Sequence, residues 1–278
     1  MLEIIRPYTS STHARVALFD FDGTLSLVRS GWIPLMVSLF MDEMRTIDTG
    51  ESEAELRARI EDIVLQLTGK ETIHQMSALA EEFRKRGGQP KTAAEYKGVF
   101  AERLNALVSS RLAKLQAGIL ERDSLLVPGA RAVLDFLIEQ RVTLVLASGT
   151  DEENVKQEAE ALDIARYFGE RIFGAREDRK GFTKAAVIKH LLSDAGYEPG
   201  ELVGFGDGFV EIHEVSDAGG FAIGLATAEP ECRIVDKGKR RHLITAGAHI
   251  ILPNYIGLSD WSGFLFDRDA PVFAGQAR

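Results

Sequence analysis

At 278 residues, with 45% apolar and 27% charged residues, the chain is long enough for one large core or two modest ones, and its composition excludes the disordered and fibrous classes. A net charge of −9 offers little attraction to nucleic acid or an anionic membrane, and no stretch approaches the roughly 18 uninterrupted apolar residues of a membrane span. The one cysteine, Cys232, excludes an internal disulfide and a cysteine-built zinc site and reads as a structural thiol. The N-terminus, with Glu3, Pro7 and a polar run from Thr9 to Thr12, lacks the basic-then-apolar pattern of a secretory signal, so a cytoplasmic location is expected.

The first apolar run, Val16 to Phe19, passes directly into Asp20-Phe21-Asp22-Gly23-Thr24-Leu25. Side chains alternate along a strand, so Asp20 and Asp22 share a direction at its carboxyl end, the end at which parallel sheets open toward ligand. Two carboxylates that close require a cation or a shared proton. From Leu27 to about Leu126 no strand run follows. Helix-period segments fill the interval instead, at Glu53 to Leu67, Glu71 to Arg86 and Ala93 to Leu115, with a glycine-containing break at Thr68 to Thr72 and a loop at Gly87-Gly88-Gln89-Pro90.

The pattern changes again at Val127-Pro128-Gly129, where proline can open a helix to Gln140. Strand-length runs then alternate with helical segments. Val142 to Ala147 ends in Ser148-Gly149-Thr150 before a helix from Glu152 to Asp163, a place where free amides suit an anion, although the same residues also serve as plain helix caps. Arg171 to Phe173 is followed by Lys180 and Lys184, the latter opening a helix to Ala195 where a cation conflicts with the positive end of the helix dipole unless an anion is near. Leu202 to Phe205 leads to Gly206-Asp207-Gly208 and to Glu211, four residues beyond Asp207 on the same face of a helix reaching Ala218. Phe221 to Gly224 and His249 to Leu252 are the last strand runs, and the basic stretch from Asp236 to His242 between them reads as a solvated loop. Repeated β-α units predict an α/β fold with a parallel sheet covered on both faces.

These four strand-end signals, in this order, resemble the four motifs of the haloacid dehalogenase superfamily, most of whose members are Mg-dependent phosphohydrolases. The resemblance covers nearly the whole chain. It implies a Rossmann-like three-layer α/β/α core from residues 1–26 and 127–278 with an inserted all-helical cap domain at 27–126, a C1-type cap of the β-phosphoglucomutase and phosphoglycolate phosphatase branch. It also implies that the Asp20 strand is central, with the Asp207 strand on one side and the Ser148 strand on the other.

The roles that follow from the resemblance are these. Asp20 is the nucleophile that forms an aspartyl-phosphate, and Asp22 is the general acid and base, an acid that the superfamily's dehalogenases and phosphonatases lack. Ser148, the amide of Gly149 and Lys184 bind the phosphoryl oxygens, with Gly23 and Thr24 in the supporting loop. Mg2+ is held by Asp20, the backbone carbonyl of Asp22, and Asp207. Glu211 stands where the family usually has a second aspartate, so its contact with the metal is expected to be direct or through water. Gly69 and Lys70 are the expected substrate-binding residues of the cap, and Arg29 and Trp32 candidates to line the entrance. The expected partner is a small phosphorylated metabolite such as a sugar phosphate or phospho-acid, with no nucleic acid, membrane or obligate protein partner. The rival readings are a phosphomutase and, in another class, a non-catalytic phosphometabolite-binding regulatory protein.

Overall fold

The computed structural model describes residues 2–8, 12–67, 72–176 and 183–266. The chain divides into two compact units, residues 1–30 with 112–278, and residues 31–111. Lys180, Gly69 and Lys70 lie outside the described residues.

The first unit contains a mostly parallel sheet of seven strands: β1 (Glu3–Ile4), β2 (Val16–Phe19), β3 (Thr143–Asp151), β4 (Ile172–Ala175), β5 (Leu202–Gly206), β6 (Phe221–Leu225) and β7 (Ile250–Leu252). Their order is β1-β7-β6-β5-β2-β3-β4. Every pairing is parallel except β1 on β7, a two-residue edge strand too short to leave an apolar run in the sequence. β2 is paired on both sides, with Phe19 level with Leu146 of β3 and Phe205 of β5, so the residue after Phe19 emerges at the middle of the sheet. All four residues of β2 are buried, as a central parallel strand requires.

Alternation along β2 sorts the core. Val16 and Leu18 join Val187, Ile188, Leu191, Ile212, Val215 and Leu243 in one cluster, which packs the helices α8 (Lys184–Ser193), α9 (Phe209–Asp217) and α10 (Lys237–Ala246) on one face. Phe19 turns the other way, stacking on Phe205 with centroids 4.4 Å apart and meeting Phe168 edge-on. Trp261 and Tyr255 pack against Phe205 as well. The helices α5 (Ala130–Glu139), α6 (Glu152–Ala161), α7 (Ala165–Phe168) and α11 (Gly263–Phe266) complete the first unit.

The second unit is helical: α1 (Trp32–Met44), α2 (Glu53–Gln66), α3 (Thr72–Lys85) and most of α4 (Ala93–Gln116). It has its own apolar core, in which Met36, Phe40, Met41, Leu79, Phe83, Tyr96 and Phe100 meet. This unit is shorter than the expected 27–126. Its departing and returning segments belong to the first unit, where they pair: the Leu27 N–H donates to the Leu125 carbonyl at 2.8 Å, and the Val127 N–H to the Leu25 carbonyl at 2.9 Å.

Candidate active site

Asp20 continues the ladder of β2 by one residue, its N–H donating to the Phe205 carbonyl at 2.9 Å. Two positions from Leu18, it faces the side of the sheet that carries α8 and α9. The chain then turns tightly, with the N–H groups of Leu25 and Ser26 both bonded to the Phe21 carbonyl at 2.9 Å. Gly23 has a φ of 71°, and a Cβ there would stand 2.2 Å from Asp207 Oδ2, so glycine serves both the turn and the approach of Asp207.

Lys184, the first residue of α8, extends its ammonium to Asp20 Oδ1 at 2.6 Å and Glu211 Oε2 at 2.9 Å. The cap of that helix is Thr183, whose hydroxyl accepts from the Ala186 N–H at 3.0 Å. Glu211, at the start of α9, accepts from the Gly208 N–H with its other oxygen. It lies so near β5 that a Cβ on Gly206 would fall 2.1 Å from its Cγ. Among the described residues, carboxylate oxygens of Asp20, Asp207 and Glu211 come within 4.8 Å of one another.

The electrostatics follow from this crowding. Burial, with Glu211 and Asp207 beside it, pushes the Asp20 carboxyl well above the usual carboxylate range despite Lys184. Asp207 is raised by burial and by Glu211, against the pull of Lys239. Burial would raise Glu211 too, but Lys184 and the amide of Gly208 outweigh it and hold Glu211 below its ordinary value. For Lys184 burial acts to lower the pKa, and the Asp20 and Glu211 carboxylates overcome it and raise it.

Asp22 is held apart from that cluster. The Thr150 hydroxyl donates to its Oδ2 at 2.9 Å, while Oδ1 is buried without a hydrogen-bond partner, 3.7 Å from Arg29 Nε. Arg29 is clamped by the buried Glu158, with Nη2 to Oε1 at 2.7 Å. Burial is the main reason that Asp22 is pushed up to about 6; Arg29 opposes the rise and Glu158 adds to it. β3 runs on past the expected end at Ala147, so Ser148 is buried within the strand, where its hydroxyl accepts from the Thr150 N–H at 3.0 Å, and Gly149 beside it is exposed. The cap of the following helix is Asp151, not Ser148, and accepts from the Glu153 N–H at 3.1 Å. Thr24 is fully buried, its hydroxyl without a hydrogen-bond partner. Trp32 opens α1 and packs on the core of the helical unit.

One expectation is overturned outright. The stretch from Asp236 to His242 is not a solvated loop: it opens α10, and Lys239 on it reaches Asp207 Oδ2 and Glu229 Oε1, both at 2.8 Å. Its cationic residues masked an amphipathic pattern whose visible signs were the capping Asp236 and the apolar pair Leu243 and Ala246. Thr150 and Glu158 were likewise unassigned, because neither belongs to a local pattern that points at Asp22.

The sequence profile of the haloacid dehalogenase-like hydrolases matches residues 14–219, the span that carries Asp20, Asp22, Ser148, Lys184, Asp207 and Glu211 but not Glu229 or α10 with Lys239. The chain belongs to the haloacid dehalogenase-like hydrolases. No curated protein matches it. Among solved structures, it is similar to a haloacid dehalogenase-like protein of unknown function from Agrobacterium tumefaciens, at 16% identity and a TM-score of 0.63 over 91% of this chain and 99% of that one. It is also similar to a predicted phosphoglycolate phosphatase from Haemophilus somnus, at 17% identity and a TM-score of 0.59 over 91% and 100% of the two chains. A candidate β-phosphoglucomutase from Thermotoga maritima matches at 19% identity and a TM-score of 0.56 over 89% and 99%. These likenesses show that the chain has the fold of this hydrolase family. No described helix is long and apolar enough to cross a membrane.

Proposed function

We propose that this hydrolase is a Mg2+-dependent phosphatase that cleaves a small phosphate monoester, such as a sugar phosphate or phospho-acid, through an aspartyl-phosphate on Asp20. The observation that carries the reading is the division of labour between two acids two residues apart. Asp20 lies among carboxylates and Lys184, whereas Asp22 is turned away from them, with one oxygen anchored by Thr150 and the other lacking a hydrogen bond. A protein that only bound a phosphometabolite would have no need for that second acid.

The donor set suits a hard divalent cation, since Asp20, Asp207 and Glu211 offer carboxylate oxygens in close proximity and no sulfur or imidazole. Asp20 and Asp207, with the backbone carbonyl of Asp22 as a further oxygen and Glu211 alongside, would hold Mg2+, which would supply the positive charge that keeps Asp20 ionised next to an anionic ester. Lys184 contributes a second positive charge on the same carboxylate and is available to the phosphoryl oxygens with Ser148 and the Gly149 amide.

An Asp20 oxygen attacks phosphorus, the bond from phosphorus to the ester oxygen breaks, and the departing oxygen takes its electron pair and the proton of Asp22. Asp22, now a carboxylate, accepts a proton from water as that water attacks the aspartyl-phosphate. The bond from Asp20 to phosphorus breaks, inorganic phosphate leaves, and both acids return to their starting states. Thr150 keeps Asp22 aimed through both halves.

The test is hydrolysis of an aryl phosphate by the purified chain with Mg2+ present and after chelation. Turnover that depends on Mg2+, and falls by at least about a thousandfold in D20N with the fold intact, is the expected result. Turnover unchanged in D20N overturns the proposal.

A further inference from the structure

Lys239 is the second ammonium group at the acid cluster, and the phosphatase reading makes no use of it. Its position is built by the chain around it. After β6 the backbone folds back on itself through bonds from the Cys232 N–H to the Ala228 carbonyl at 2.8 Å and from the Asp236 N–H to the Ala226 carbonyl at 2.7 Å. The Asn254 side-chain amide donates to the Cys232 carbonyl at 2.6 Å and ties this segment to the end of β7. The Asp236 carboxylate then caps α10 by accepting from the N–H of Lys239 itself, at 2.7 Å. With its backbone fixed, Lys239 is 14% exposed in its side chain, and its Nζ stands 2.8 Å from Asp207 Oδ2 and 2.8 Å from Glu229 Oε1.

The charges around this lysine leave a definite remainder. With all of them ionised, the four acids Asp20, Asp207, Glu211 and Glu229 and the two ammonium groups of Lys184 and Lys239 leave a formal deficit equal to the charge of one divalent cation. The geometry goes further than the charge. Asp207 Oδ2 is the oxygen taken by Lys239, and the same oxygen is the nearest atom to the place where Gly23 lacks a Cβ. Lys239 thus engages Oδ2 and leaves Oδ1 as the other oxygen that Asp207 can offer.

We propose that Lys239 is a positioning residue that sets the metal preference of the site: by occupying Asp207 Oδ2 it limits that carboxylate to one ligand oxygen, which favours Mg2+ over Ca2+. Mg2+ takes six ligands at about 2.1 Å in near-octahedral array and accepts carboxylates one oxygen at a time, whereas Ca2+ takes six to eight and readily uses both oxygens of one carboxylate. Glu229 holds the ammonium in place and balances it. The inference rests on the reading of Asp207 as a metal ligand.

The test is calorimetric titration of the full chain with Mg2+ alone and with Ca2+ alone, without any phosphate ester. In K239M the ratio of Ca2+ to Mg2+ affinity is expected to move about tenfold toward Ca2+. Both ions carry the same charge, so the loss of the ammonium charge cancels in the ratio and the ligand geometry is what remains. K239R keeps donors on Oδ2 and is expected to stay near the native ratio. Should K239M fail to fold, the double variant E229Q/K239M, which removes both charges of the pair, is expected to give the same shift. A ratio unchanged in K239M or in the double variant, or two affinities that move together, overturns the inference while leaving the metal site standing. A native chain that binds neither ion overturns the reading of Asp207 and the inference with it.

Discussion

Glu82 in the helical unit and Asp20 at the tip of β2 are equally hidden, 7% and 8% exposed, yet their carboxyl groups move in opposite directions. Burial alone would push Glu82 up, but Arg59 and Arg86 outweigh it and take Glu82 down to about 2. Arg59 Nε lies 3.1 Å and Arg86 Nη1 2.6 Å from the same Glu82 oxygen, Lys85 stands 3.8 Å from the other, and Arg86 also bonds Glu51. Asp20 has Lys184, which it shares with Glu211, and two further carboxylates within reach. Their own surfaces are equally covered, but Asp20 lies deeper, with a buried lysine beside it where Glu82 has partly exposed cations, and the number of cations per acid differs as well. A carboxylate with more than its share of cations binds helices together, and one with less is held in a state that a ligand can relieve.

The sharpest way to break this comparison is to replace each acid by its amide. D20N is expected to lose at least about a thousandfold in turnover while keeping, or raising, the thermal midpoint of the metal-free protein, because it removes charge from an acid-rich cluster. A clear drop in that midpoint would mean that Asp20 is structural in the manner of Glu82. T150V should lower kcat by about ten- to a hundredfold with KM little changed, since it frees Asp22 without touching the phosphate side; T150S, which keeps the hydroxyl, should restore it. E82Q is expected to cost about 2 kcal/mol of stability in urea denaturation, because it leaves Arg59 and Arg86 facing an uncharged group.

Acid should act on the helical network through the same residue. Glu82 has a folded pKa of about 2 against an ordinary value of 4.5, so its contribution is complete above about pH 4.5 and disappears as the pH falls toward 2. The facing charges, Arg59, Lys85, Arg86, Glu51 and Asp62, leave the sign unchanged, since Glu82 is closest to cations. Midpoints measured from pH 6 to pH 3 should therefore fall more steeply in the native chain than in E82Q, and parallel curves would refute the assignment. The smallest effect is expected from E51Q, whose partner Arg86 keeps Glu82. A stability indistinguishable from native would fit an exposed pair, and a loss as large as that of E82Q would show that the two acids act as one unit.

Much of the architecture was readable because it is written in short-range patterns. The runs at Val16 to Phe19, Leu202 to Phe205 and Phe221 to Gly224 appear as β2, β5 and β6, the last two one residue longer, and the helical character of the interval after Leu27 appears in α1 to α4. The gathering of Asp20, Asp207, Glu211 and Lys184 was also anticipated in outline, since each stands at a strand end or helix start whose place in a parallel sheet is constrained. What escaped were contacts without a local signature. Thr150 and Asp22 are 128 residues apart, Arg29 and Glu158 are 129 apart, and Lys239 reaches Asp207 from a helix that its own charges disguised.

Read without coordinates, the chain determined most of its elements, though not β1 or α10, together with the fold class and the strand ends that carry the acids, because periodicity and capping depend on neighbours a few residues away. The tertiary structure alone decided which acid is crowded by acids, which is aimed by a hydroxyl and which is pinned by a lysine. Those outcomes depend on distances of a few ångströms between residues far apart in sequence, set only when the sheet brings its strand tips together.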